Sequence, residues 1–182
     1  MSEARWVEFG HERKAILRSI TMSDVDERHR FFVELSMAQT GMVHTIDEIE
    51  IHNHETKDKI HDFLVHKRGL WLVAETQDNK IIGEVDILVK DLWRVNHNGV
   101  LSIGILPEFQ GQGLGGLLMS HALAWAKRLP LLRIELAVFA NNGRALDLYR
   151  KFGFVMEGRR KNFLRNSDGS FQDDLLMAAY LV

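Results

Sequence analysis

A mixed α/β fold is what this 182-residue sequence predicts, and three observations predict it. Through the second half of the chain, apolar runs with strand character alternate with amphipathic helical patterns. The run Ile103-Gly104-Ile105-Leu106 enters a glycine-rich loop, Gly111-Gln112-Gly113-Leu114-Gly115-Gly116, which opens directly onto a helical stripe. Pairs of strand patterns joined by short polar turns flank this unit on both sides.

The elements follow in chain order. Lys14 to Ile20 reads as a first strand, ending where Thr21 or Ser23 can cap a helix. A helix fits Asp24 to Met37, with Val25, Phe32, Leu35 and Met37 as core candidates. Thr45-Ile46-Asp47-Glu48 has the pattern of a capping box, and helical spacing continues through Ile49, Ile60, Phe63 and Leu64. Trp71 to Thr76 and Ile81 to Val89 read as two strands around the turn Gln77-Asp78-Asn79-Lys80, and Asn96 to Gly99 turns the chain into a strand from Val100 to Leu106. The helix after the glycine loop runs from Gly113 to about Lys127, with Leu114, Leu117, Leu118, Ala122 and Trp125 on one stripe. Pro130 stops it, and Leu132 to Val138 is the next strand. Asn142 to Phe152 is a short helix ended by Gly153 at its C-terminus. Phe154 to Leu164 and Phe171 to Leu181 form a hairpin around Asn166-Ser167-Asp168-Gly169.

Composition narrows the function classes. A hydrophobic fraction of 46% supplies one substantial core, so the chain reads as a single domain over residues 1–182. A net charge of −2 gives no global basic field for nucleic acid. Absence of cysteine excludes disulfides, thiolate metal sites and a cysteine nucleophile. Met1 to Arg18 lacks the apolar core of a signal peptide, and no apolar run reaches membrane-spanning length. A soluble protein of the cytoplasm, with no membrane and no nucleic-acid partner, is the expectation.

Exposed amides at a helix N-terminus, with no side chains in the way, form a site for a phosphate-bearing ligand. The loop matches the dinucleotide fingerprint G-x-G-x-x-G literally, and Glu135 lies about twenty residues beyond it. Three features oppose a dinucleotide. Too little chain follows the loop for a doubly wound sheet, Pro107-Glu108-Phe109 lengthens a connection that should be tight, and Glu135 falls inside its strand. No Gly-Lys-Ser/Thr follows, so the loop is not a Walker A motif. A purely structural glycine turn is the remaining plain reading.

Gln110-Gly111-Gln112-Gly113-Leu114-Gly115 resembles the (Arg/Gln)-x-x-Gly-x-(Gly/Ala) signature of the GNAT N-acetyltransferase superfamily. Val138-x-x-x-Asn142-x-x-Ala145-Leu146-x-Leu148-Tyr149-x-x-Phe152-Gly153-Phe154 resembles the second motif of the same superfamily, at the same spacing. The resemblance covers about Ile81 to Val182, and the N-terminal half matches only in element order. It implies a mixed, largely antiparallel sheet of about seven strands with about four helices and a splayed parallel strand pair at the cofactor site. It implies acetyl-coenzyme A as co-substrate and no metal. The pyrophosphate would rest on the amides of Gln110, Gly111, Gln112, Gly113, Leu114, Gly115 and Gly116. Gln110 stands where most members have arginine. The pantetheine arm would pair with the backbone of Ile103 to Ile105, the Ile105 amide facing the thioester carbonyl. Tyr149 would protonate the departing thiolate. Asn142 would cap its helix, contact the arm, or both.

The general base is open. Glu84 is the first candidate, and strand alternation puts Asp86 on the same face; His97, or a water, is the alternative. His52, His54, His61 and His66 do not make a metal site, and Arg159-Arg160-Lys161 reads as a solvated strand face. The acceptor implied is a small-molecule amine such as an amino acid. A ribosomal-type protein N-terminus comes second, and a non-catalytic acyl-coenzyme A sensor is the reading from another class. Homodimers occur in this superfamily, and no segment of the sequence locates an interface.

Overall fold

The computed structural model describes residues 4–38, 42–51, 53–66 and 68–181. Among these residues, eight strands form one sheet: β1 (Arg5–Phe9), β2 (Arg13–Ser19), β3 (Gly69–Glu75), β4 (Ile81–Val89), β5 (Asn98–Ile105), β6 (Arg133–Phe139), β7 (Val155–Arg165) and β8 (Phe171–Tyr180). Their order is β1-β2-β3-β4-β5-β6-β8-β7, and every neighbouring pair is antiparallel except β5 with β6. Five α-helices accompany them among the described residues: α1 (Val25–Met37), α2 (Ile46–Ile51), α3 (Asn53–His66), α4 (Leu114–Ala126) and α5 (Gly143–Lys151). From β4 onward the observed elements match the sequence reading to within a residue or two.

The differences lie in the N-terminal half. A strand the sequence reading omitted, β1, pairs with β2. It is short, with Val7 and Phe9 turned inward and charged residues between and around them. It brings the strand count from about seven to eight. On α1 the buried aromatic is Phe31 rather than Phe32, and Met37 is 61% exposed rather than in the core. Phe31 and Leu35 fall one helical turn apart and set the inward stripe, which places Phe32 and Met37 to its sides. The expected second helix comes as α2 and α3, with His52 between them outside the described residues. Thr45 and Glu48 form the expected reciprocal cap, Thr45 N donating to Glu48 Oε2 at 2.8 Å and Glu48 N to Thr45 Oγ1 at 3.3 Å.

The sheet has a different core on each face. On one, α4 and α5 bury Leu114, Leu118, Met119, Leu146 and Tyr149 against Leu72, Val85, Ile87, Leu101, Leu136 and Val138. On the other, α1 and α3 bury Phe31, Leu35 and Ile60 against Trp71, Val73, Ile81 and Leu106. The two faces are therefore chemically separate layers, joined only through the strands.

Among the described residues the only parallel pair, β5 with β6, holds just three register pairs: Asn98 with Arg133, Gly99 with Ile134, and Val100 with Glu135. Gly99 is required there. A Cβ on it would lie 2.8 Å from both Ile134 Cδ1 and Ile87 Cγ2, the latter a stiff branch that cannot swing away. Gly99→Ala should destabilise the fold by about 1–3 kcal/mol through overpacking at the base of the strand pair. Chemical denaturation checks this, and an unchanged midpoint would contradict it.

Candidate functional site

Beyond Val100 the two parallel strands part, and hydrogen-bond phase decides what faces the gap. Lys90 N donates to Asn98 O at 3.1 Å and Leu106 N to Ile82 O at 3.0 Å, so the even-numbered residues of β5 direct their backbone groups to β4. The odd-numbered residues Ile103 and Ile105 therefore turn their N–H and C=O groups toward β6, where the ladder has already ended. The Ile105 carbonyl is taken by Gln110 Nε2 at 2.8 Å, which leaves the Ile105 amide facing the gap. Two extended strands with free backbone edges between them are a slot for an extended chain bearing amides.

The glycine loop closes one end of this slot. Gly111 and Gly113 adopt φ of 74° and 92°, and a Cβ on Gly111, Gly113 or Gly116 would point into open space. Gly113 is the N-cap of the 13-residue α4, so the amides of Leu114, Gly115 and Gly116 begin that helix with no earlier carbonyl to bond. Gly115 sits tightly, its Cβ position 3.2 Å from both Ile105 Cδ1 and Leu148 Cδ2. The loop is braced from the sheet edge, where Gly10 N in the β1–β2 turn donates to Gln112 O at 2.8 Å. Gln112 Nε2 in turn donates to Glu108 O at 2.7 Å. The result is an anion cradle with fixed backbone, the geometry a pyrophosphate requires.

The helix α5 lines the other wall. Asn142 Oδ1 accepts from Ala145 N at 3.1 Å, so this side chain serves as the N-cap. Tyr149 is buried against Phe154, ring centroids 5.8 Å apart. Burial alone pushes its hydroxyl up to about 12, so it is a neutral phenol at any working pH and holds a proton to give.

On the opposite face of β4, Glu84 and Asp86 do share a side, and the structure distinguishes them. Glu84 is buried and fully engaged: Arg28 Nη2 donates to Oε1 at 3.1 Å, Arg28 Nε to Oε2 at 3.3 Å, and Trp71 Nε1 to Oε2 at 3.1 Å. Arg28 is itself stacked on Phe32, 4.3 Å from the ring centroid. Both Glu84 oxygens thus already accept from donors within the protein. Asp86 is half-buried opposite Ser102 of β5. Desolvation, reinforced by the charge of Glu84, pushes it up to about 7, while Arg28 and a hydrogen bond from Ser102 pull it partly back. Arg28 and Trp71 escaped sequence reading; the available signal was a cation on the apolar stripe of α1 between Val25 and Phe31.

Other sequence candidates fall elsewhere. His97 lies at the far end of β5, six residues before Ile103, which is about 20 Å along an extended strand. Its carbonyl accepts from Leu132 N at 2.9 Å. Glu135 is engaged by Lys90 at 2.6 Å and is held below the usual carboxylate range by it. Arg159 and Arg160 are taken by Asp173 and Asp174. His66 pairs with Asp62 at 3.0 Å. Among the described residues, no three His, Cys, Asp or Glu side chains converge as a metal-binding group, and no helix is long and apolar enough to cross a membrane.

Comparison with known proteins agrees with this geometry. Residues 26–154 match the Acetyltransferase (GNAT) family. A Bacillus subtilis protein assigned as a ribosomal protein bS18-alanine N-acetyltransferase is 30% identical over 90% of this chain and 94% of its own length. The L-amino acid N-acetyltransferase AaaT of Escherichia coli is 30% identical over 63% of this chain and 71% of its own. Among solved structures, a GNAT-family acetyltransferase from Streptococcus pneumoniae superposes with a TM-score of 0.82 at 29% identity, covering 91% of this chain and 99% of that one. A phosphinothricin acetyltransferase from Sinorhizobium meliloti, solved with acetyl-coenzyme A, shares the fold at a TM-score of 0.79 and 18% identity, covering 91% and 88%.

The contrast between the two carboxylates has a measurable consequence. Asp86 is raised from an unfolded value of 3.8 to about 7, so its protonated form stabilises the folded state below pH 4. That contribution is lost as pH rises from about 4 through 7. Asp86→Asn, which keeps a neutral isostere, should therefore gain stability over the parent as pH rises across that window. Denaturation at pH 5 and pH 8 measures the difference, and a gap that stays constant would refute the assignment.

Proposed function

The chain belongs to the GNAT acetyltransferase family, and from that premise we propose that it moves acetyl from acetyl-coenzyme A directly to a primary amine of a small molecule within a ternary complex. The observation that carries the proposal is the parallel ladder of β5 and β6 ending after three pairs, with the Ile103 and Ile105 backbone free toward the slot. Direct transfer needs no nucleophilic side chain on the enzyme, which suits a chain without cysteine. The co-substrate supplies an acetyl thioester. The Ile105 amide stabilises the oxyanion that forms as nitrogen attacks the carbonyl carbon. Asp86 accepts the proton of the ammonium, directly or through water, and so frees the nitrogen lone pair. The C–N bond forms as the C–S bond breaks, and Tyr149 gives its proton to the departing thiolate.

Glu84 takes a supporting role in this scheme. Its charge raises Asp86, and its own oxygens stay locked to Arg28 and Trp71. An amino acid or similar amine is the acceptor class, supported by the amino-acid acetyltransferase relative. A protein N-terminus is the second reading, favoured by the bS18-type relative that spans nearly the whole chain. The reaction is assigned to the cytoplasm, where both acceptor classes occur.

Acetyl transfer screened over amino acids, polyamines and short peptides, read as coenzyme A thiol release, decides the acceptor. With the best acceptor, Asp86→Asn and Tyr149→Phe should each lower kcat by about 10²- to 10⁴-fold. Both should leave coenzyme A affinity unchanged. For the parent, kcat/KM should rise with pH and level off above about 7, as Asp86 loses its proton. Tight coenzyme A binding with no transfer to any acceptor would instead identify an acyl-coenzyme A sensor.

A further inference from the structure

Position 110 is glutamine, and its side chain is occupied at both ends: Nε2 donates to Ile105 O at 2.8 Å, and Oε1 accepts from Arg144 Nη1 at 2.9 Å. It thus links the last residue of β5 to the first turn of α5 across the mouth of the slot. Arg144 is exposed and placed against the local electrostatics, since a cation in the first turn of a helix opposes the positive end of the helix dipole. No carboxylate offsets it among the described residues. The acid three positions on, Asp147, bonds Arg150 at 3.2 Å instead. A guanidinium carries five N–H donors, and only one is used here, which leaves a fork free beside the amides of the glycine loop. Gly143, the residue before it, would also point a Cβ into open space. An unpaired cation aimed beside an anion cradle is what a bound phosphate would satisfy.

We infer that Arg144, held in place by Gln110, supplies the positive charge for the coenzyme A pyrophosphate that position 110 itself lacks. This rests on the acetyl-coenzyme A reading above. Gln110 is the positioning residue and Arg144 the binding residue. An arginine at 110 could not accept the Arg144 hydrogen bond, so the charge has moved from the loop to α5 rather than been lost.

Titration calorimetry on the full chain, with coenzyme A, dephospho-coenzyme A and pantetheine as probes, tests the assignment. Arg144→Gln should weaken coenzyme A and dephospho-coenzyme A by the same factor, about tenfold, the value of one charge-assisted phosphate contact. Pantetheine, which has no phosphate, should bind both proteins equally, and Arg144→Lys should recover most of the loss. Adding Gln110→Arg to Arg144→Gln should restore affinity by returning the charge to the loop. Undiminished affinity of Arg144→Gln for coenzyme A would overturn the inference. So would a loss confined to coenzyme A, which would place Arg144 on the 3′-phosphate, or an equal loss for pantetheine, which would reduce Arg144 to a structural strut. A parent protein that binds no coenzyme A would overturn the transferase reading itself, a result distinct from all of these.

Discussion

The divergence of β5 from β6 is the constraint on which the rest of this structure depends. A parallel pair inside an otherwise antiparallel sheet normally extends along both strands, because each unmade ladder bond leaves a buried donor or acceptor. Here it ends after three pairs, and the outer edges of both strands remain fully paired, β5 with β4 and β6 with β8. The strands are thus held apart by their other partners rather than by any flexibility of their own. Gly99 lets them meet at the base, Gln110 fixes the last carbonyl of β5, and the glycine loop carries the chain around the open end. What is left is a slot whose walls present amides, which an extended ligand with alternating amide groups satisfies.

The two faces of the sheet divide the chemistry. The α4–α5 side holds the glycine loop and Tyr149. The α1–α3 side holds the carboxylates. β5 passes between them, with Ile103 and Ile105 turned toward α4 and Ser102 and Gly104 toward α1. Gly104 shows how close the second layer comes, since a Cβ there would lie 2.8 Å from Leu35 Cδ2. In the proposed mechanism the proton donor for the leaving sulfur, Tyr149, and the proton acceptor for the attacking nitrogen, Asp86, lie on opposite sides of one strand, so neither group neutralises the other.

Legibility in the sequence followed the range of the interactions. β4 and everything after it was readable because local signals mark each boundary: Pro107, Pro130, Gly153 and the Asn166 turn. Gly153 adopts φ 82° directly after α5, and Gly169 φ 84° in the hairpin turn, as those positions required. β1 was not readable, because five residues with two inward side chains carry little period, and its pairing with β2 is decided by sheet closure. The glycine loop, the strand Ile103 to Ile105 and the shared face of Glu84 and Asp86 on β4 could be read from motif and strand alternation. That donors lock Glu84 while burial raises Asp86 could not be read there. Glu84 and Asp86 differ through Arg28, fifty-six residues away, and through Trp71, and no local pattern encodes a contact of that separation. Arg144 was hidden for the same reason, its partner lying thirty-four residues back.

The charges that remain unpaired argue for the direction in which substrates enter. On the α4–α5 side the surplus is positive, from Arg144 and the free amides of the glycine loop. On the carboxylate side Arg28 is spent on Glu84, so an ionised Asp86 is a net negative charge beside Ser102. Under the proposed function, an anionic donor and a cationic acceptor are drawn to opposite faces of β5. An acceptor ammonium near pKa 10 would yield its proton to a carboxylate near 7 only against a gradient of about 3 pK units. Desolvation narrows that gradient from both sides, because burial lowers an ammonium and raises a carboxylate. In the proposed mechanism the partial burial that makes Asp86 an unusual aspartate is therefore the same condition that favours a neutral, reactive amine.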